Sequence, residues 1–161
     1  MLWNKNKNKN EIIKSPCKGI MFDVKDVNDD MFSHKMLGES FAFKLLSNKI
    51  VAPVDGKITA LFPSCHAIGI TSKKGCEILL HIGLETSDLD GSDFNQYIQE
   101  NQKIKTGDLL TEVNLISLNN KNVDSTMIMV LLNSNKYEPI HISMPKDVEK
   151  NETLFEIKRV K

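Results

Sequence analysis

Turn formers cut the apolar segments of this chain short, and that punctuation constrains its fold more than any other feature. Lys49 to Val54 is mostly apolar and stops at Asp55-Gly56, a hairpin turn signal. Lys57 to Phe62 resumes the pattern and stops at Pro63. His66 to Thr71 follows, then the turn Ser72-Lys73-Lys74-Gly75, then Cys76 to Ile82. Later strands are expected at Leu109 to Val113, Met127 to Leu132, Ile140 to Ser143 and Thr153 to Val160, with a further turn at Lys105-Thr106-Gly107-Asp108. One helix is expected from Ser92, as its cap, to about Glu100. Many short strands with regular turns and little helix predict an all-β fold. The expected form is an antiparallel β-sandwich or flattened barrel with one or two short helices.

The Lys/Asn alternation from Lys5 to Asn10 has no apolar surface to bury. Residues 1–14 are therefore expected to be a disordered tail, and residues 15–161 a single domain. Hydrophobic residues make up 40% of the chain, enough for a core without staples. Lys plus Arg and Asp plus Glu both number 21, so bulk positive charge does not steer the chain to nucleic acid. No apolar run is long enough to span a bilayer. Leu2 and Trp3 are too short an apolar stretch for stable membrane insertion. Met1 to Lys14 lacks the apolar region of a secretory signal. Cys17, Cys65 and Cys76 are odd in number and fit neither a disulfide framework nor a zinc site. Free thiols in the cytoplasm are expected.

Two histidines carry the chemistry. His66 and His81 flank one hairpin, and its loop length decides how they meet. An even loop, Lys73-Lys74 or Ser72 to Gly75, sets His66 directly opposite His81, with Cβ atoms about 4.5–5.5 Å apart. A three-residue loop with Gly75 as a bulge shifts the pairing by one and puts the rings on opposite faces. His81 stands among aliphatics in Ile78-Leu79-Leu80-His81-Ile82-Gly83-Leu84, where desolvation favours its neutral form. A neutral imidazole is a nucleophile through one nitrogen when the other is held protonated, and the carbonyl of Gly83 can do the holding. A single histidine in such a strand ordinarily packs as core. Two at facing positions need a reason, and zinc ligation and acid–base catalysis are the other two.

Gly75-Cys76-Glu77-Ile78-Leu79-Leu80-His81-Ile82-Gly83-Leu84-Glu85-Thr86 resembles the active-site signature of the glucose-type IIA component of the bacterial phosphoenolpyruvate:sugar phosphotransferase system. Cys65-His66-Ala67-Ile68 matches the segment of the family's second histidine. Val51 to Ile58 resembles its strand and turn, and Met31 to Gly38 the segment before it. The likeness runs from about Ser15 to the C-terminus. Ser87, Glu85 and His34 depart from the family's usual residues.

The resemblance implies an antiparallel β-sandwich and a phosphotransferase component that works through a phosphohistidine. It implies that His81 accepts phosphate from the phosphocarrier HPr and passes it to a cysteine of the IIB domain during sugar uptake. His66 would stabilise the phosphoryl group, and Ser64 would orient His66. An apolar docking surface is expected from Met31, Phe32, Met36, Leu37, Phe62 and Leu79, rimmed by Asp29, Asp30 and Glu85. No cofactor is required by this chemistry, although a regulatory zinc at His66 and His81 is compatible with the family. His141 has no partner in the site and reads as structural or solvent-facing.

Three rival readings stand beside it. A zinc hydrolase needs a third ligand, and no His-x-His pair supplies one. A lipoyl-like or biotinyl-like carrier module places its modified lysine at a hairpin tip, where Lys73-Lys74 sits. A purely regulatory protein on the same fold would not need both histidines.

Overall fold

A computed structural model describes residues 10–161, and within them the turn signals cut the chain into thirteen short strands and two short α-helices. In chain order these are β1 (Glu11–Lys14), β2 (Gly19–Asp23), α1 (Asp30–Ser33), β3 (Glu39–Leu45), β4 (Lys49–Val51), β5 (Gly56–Leu61), β6 (Ala67–Ser72) and β7 (Glu77–Ile82). They continue as β8 (Phe94–Gln96), β9 (Lys103–Ile104), β10 (Leu109–Val113), α2 (Leu115–Asn120), β11 (Met127–Leu131), β12 (Lys146–Val148) and β13 (Thr153–Ile157). Every strand pair is antiparallel. An eight-stranded sheet runs β12-β2-β3-β11-β7-β6-β5-β9, a three-stranded sheet β4-β10-β8, and β1 pairs with β13.

Side-chain alternation sorts the large sheet into two faces. Ile78, Leu80 and Ile82 of β7, Ile68 and Ile70 of β6 and Met127, Met129 and Leu131 of β11 enter the main core. Ile50, Phe94, Leu110 and Val113 of the small sheet meet them there, which makes the sandwich. The opposite face of β11 carries Ile128 and Val130 into a second cluster with Val24, Val27, Phe32, Ala42 and Leu84. β11 is thus buried on both faces and reads as an unbroken apolar run. His81 pairs with Ile128 and lies on this second face.

Several expectations are corrected. The Lys/Asn segment lies outside the described residues except for Asn10, but Glu11–Lys14, expected to be disordered, forms a strand. β1 begins at Glu11, and Ile13 is fully buried in the main core. No helix forms from Ser92 to Glu100. Phe94 pairs with Val113 and the segment becomes β8, because burying Phe94 and Ile98 against the core outweighs local cap signals. Asp55-Gly56 does not close a hairpin: β4 pairs with β10, whereas β5 pairs with β6 and β9. The Asp55 carboxylate instead accepts bonds from the Thr106 amide and hydroxyl at 2.7 and 2.9 Å. Ile140 to Ser143 is not a strand. Pro139 and Pro145 bracket it and lack ladder donors, although Ile140 and Ile142 still pack on the core.

Leu80 is fully buried at the centre of the main core. Leu80→Ala is expected to lose about 3 kcal/mol of stability through transfer and cavity costs. Urea unfolding measures this; a loss below about 1 kcal/mol would contradict this placement of the core.

Candidate functional site

The β6–β7 turn has three residues. Ser72 donates its amide to the Cys76 carbonyl at 2.8 Å, Gly75 takes φ +97°, and Ala67 stands opposite His81. By strand alternation this register would send the two histidine rings to opposite faces. The rings nevertheless meet, with centroids 5.0 Å apart in an edge-to-face arrangement. The reason is that β6 begins at Ala67, so His66 lies outside the strand's alternation. A turn closed by the Cys65 amide on the Phe62 carbonyl, with Cys65 at φ +60°, redirects the chain just ahead of β6. His66 keeps one backbone bond to β7, its carbonyl accepting from the Ile82 amide at 2.7 Å. Its ring is free to swing to His81.

Both rings are held at Nδ1. The His81 ring donates from Nδ1 to the Gly83 carbonyl at 2.8 Å. A carbonyl only accepts, so the proton sits on Nδ1 and Nε2 carries the lone pair. Gly83 can aim its carbonyl back along the chain because it takes φ +83°, a conformation side chains resist. His66 Nδ1 is hydrogen-bonded to the buried Ser64 hydroxyl.

Aromatic rings close the row. Phe32 lies 5.0 Å from His81, and Phe62 lies 5.7 Å from His66, centroid to centroid. Phe32 is delivered by α1, whose N-cap Asp29 accepts the Phe32 amide at 3.2 Å. Burial pushes the basicity of both imidazoles below the ordinary histidine value. For His81, the neighbouring His66 lowers it further, whereas the bond to Gly83 and the Asp29 charge oppose the shift. Both shifts favour the neutral form of the rings.

The expected docking residues divide. Met31, Met36, Leu37 and Phe62 are exposed, with Met36 at 70%, and Phe62 touches the pair through His66. Asp30 and Glu85 are exposed. Phe32 is corrected: at 2% exposure it supports the His81 ring and offers no surface. Leu79 is half-buried against the second cluster, and half-buried Asp29 is engaged in its cap. His141 is exposed, as expected. No third His, Cys, Asp or Glu among the described residues joins the two histidines in a metal-sized group. At the hairpin tip, Lys74 Nζ donates to the Asn10 carbonyl at 2.8 Å.

Sequence reasoning missed the Phe32 contact and the reversal at Cys65. The first carried a signal, an aspartate N-cap ahead of Met31-Phe32. The second carried none, since cysteine is not a residue that favours positive φ.

Because both folded-state basicities lie below the unfolded value, the unfolded chain binds more protons below about pH 6.5. The stability contributed by these neutral rings is complete above that pH and is lost as pH falls through it. In an NMR titration both rings are expected to titrate below about 6.5. His66→Gln is expected to move His81 upward, toward its ordinary value. An unchanged or lower His81 midpoint in that variant would refute the coupling.

The family model of the phosphoenolpyruvate-dependent sugar phosphotransferase system, EIIA 1, matches residues 11–137. The glucose-specific EIIA component of Mycoplasma capricolum is 37% identical over 151 residues, covering 94% of this chain and 97% of that protein. The β-glucoside-specific EIIBCA component of Bacillus subtilis is 39% identical over 127 residues, covering 79% of this chain and 21% of that longer protein. The solved structure of glucose permease IIA from Mycoplasma capricolum superposes with a TM-score of 0.84 at 37% identity, covering 94% of this chain and 97% of that one.

Proposed function

The chain belongs to the EIIA 1 family of the phosphoenolpyruvate-dependent sugar phosphotransferase system, and on that premise we propose that its phosphoryl group rides on Nε2 of His81. Its role is that of a phosphoryl carrier in sugar transport. The observation that carries the assignment to His81 is the 2.8 Å bond from its Nδ1 to the Gly83 carbonyl, which leaves Nε2 as the nucleophile in a ring that burial keeps neutral.

The step balances without a redox partner or a metal. The His81 Nε2 lone pair attacks phosphorus on a phosphohistidine of HPr. An N–P bond forms to His81 as the donor's N–P bond breaks, and the departing nitrogen keeps its electron pair. Onward transfer to a IIB cysteine thiolate exchanges this N–P bond for an S–P bond. The donor bond is already activated, so positioning and charge stabilisation are what the protein adds. His66 supplies the latter. With the Ser64 hydroxyl donating to its Nδ1, its proton sits on Nε2 and can be offered to the phosphoryl oxygens.

The relative in which a matching segment is part of an EIIBCA chain supports a IIB domain as acceptor. Met31, Met36, Leu37 and Phe62 give a shallow apolar platform, with Asp30 and Glu85 toward basic residues of a partner such as HPr. Soft methionine side chains suit a surface that serves two partners in turn. The described residues include no helix long and apolar enough to cross a membrane. We place the carrier in the cytoplasm, where its donor and acceptor domains act. A zinc ion at the two histidines would need a further ligand from a partner, and its part would be regulatory.

Intact mass after incubation with phosphoenolpyruvate, enzyme I and HPr tests the reading. Wild type is expected to gain one acid-labile phosphoryl group and His81→Gln none. His66→Gln is expected to accept the group and pass it to IIB about 100-fold more slowly, the scale for losing one preorganised donor. No gain in wild type, with HPr itself phosphorylated, would overturn the assignment.

A further inference from the structure

The bond between His81 and Gly83 depends on how the turn after β7 is held. Two of its amides are anchored from outside: Gly83 donates to the Thr126 carbonyl and Leu84 to the Asp124 carbonyl, each at 2.9 Å. Asp124 fixes that anchoring segment in turn, its carboxylate accepting from the Thr126 amide at 2.9 Å and hydroxyl at 2.7 Å. The carbonyl side of the turn is held differently. The hydroxyl of Thr86, a side chain with no exposed surface, donates to the Ile82 carbonyl at 2.9 Å and lies 3.5 Å from the Gly83 carbonyl. The Thr86 methyl closes the same space: a Cβ on Gly83 would stand 2.5 Å from it.

From this convergence we infer that Thr86 is a positioning residue for phosphoryl transfer, whose buried hydroxyl and methyl fix the backbone at Ile82 and Gly83 so that the Gly83 carbonyl keeps His81 in the Nδ1–H tautomer. The inference rests on the reading of His81 as the carrier and adds what enforces its nucleophilic state. Free imidazole has two tautomers, and only the one protonated on Nδ1 presents a lone pair at Nε2. If the Gly83 peptide rotates away, the Nδ1 proton loses its acceptor and the second tautomer gains population. Attack at phosphorus then slows in proportion to the productive fraction and its alignment. Substrate docking is untouched, because Thr86 lies beneath the surface. The loss therefore falls on kcat and spares KM.

The experiment compares wild type with Thr86→Val, which keeps the methyl shape, Thr86→Ser, which keeps the hydroxyl, and Thr86→Ala as a second route to removing the hydroxyl if valine prevents folding. Nitrogen-15 NMR of the imidazoles reads the tautomer, and transfer from phosphorylated HPr gives kcat and KM. Wild type and Thr86→Ser are expected to show His81 in the Nδ1–H form. Thr86→Val or Thr86→Ala is expected to show a mixture of tautomers, with kcat about tenfold lower and KM unchanged, the scale seen for removed supporting hydrogen bonds. An unchanged tautomer in the variants that lack the hydroxyl would overturn the inference, whatever their activity, since a loss of rate alone is what general destabilisation produces. A wild type that accepts no phosphate from active HPr would overturn the carrier reading and the kinetic half of this inference with it. The tautomer comparison requires no phosphate and separates the two failures.

Discussion

The hydrogen bond from His81 Nδ1 to the Gly83 carbonyl is the constraint on which the rest of the site depends. It converts a ring with two neutral tautomers into one whose lone pair sits on Nε2. That bond needs a backbone that reverses within two residues, which only a glycine at φ +83° provides without strain. The reversal in turn needs β11 and the segment before it, whose carbonyls at Asp124 and Thr126 receive the turn's amides. A strand buried on both faces is a rigid base for such a turn, because any shift of β11 would disturb packing in two clusters at once.

Neutrality is the second requirement, and the fold obtains it by burial. The neighbouring His66 disfavours protonation of His81, burial disfavours it for both rings, and Phe32 and Phe62 pack against their flanks. The cost is a pair of polar rings in an apolar setting, and the structure meets it by giving each Nδ1 a partner, Ser64 or Gly83. In the proposed function the other ring nitrogens are the ones that meet the phosphoryl group. The same aromatic row links the chemistry to the docking surface. Phe62 is 41% exposed while its ring contacts His66, so under the proposed function a partner seated on it would also cover the histidine pair.

Much of this was legible in the residues. The apolar run from Ile78 to Ile82, interrupted by His81, marked a strand with a titratable ring, and Gly83 marked a backbone able to approach it. Pairing partners were less legible. Asp55-Gly56 carries a hairpin signal that the chain does not use, because the Asp55 carboxylate takes two donors from Thr106, remote in sequence. Ser92 looked like a cap, but Phe94 and Ile98 gain more by facing the core from an extended chain than by lining a short helix. Phe32 looked like a docking residue, and its burial became apparent only once α1 was seated against the second face.

Local chemistry, then, is what the sequence by itself determined: strand punctuation, the desolvated histidine, its glycine and the family signature around it. These rest on short-range preferences that act within a few residues. The tertiary structure alone decided that the histidines meet. The hairpin register taken by itself would have parted them, and the meeting depends on where β6 stops, on the reversal at Cys65 and on the phenylalanine brought from α1. Those are long-range outcomes, set by which apolar faces can be buried together, and no window of sequence contains that competition.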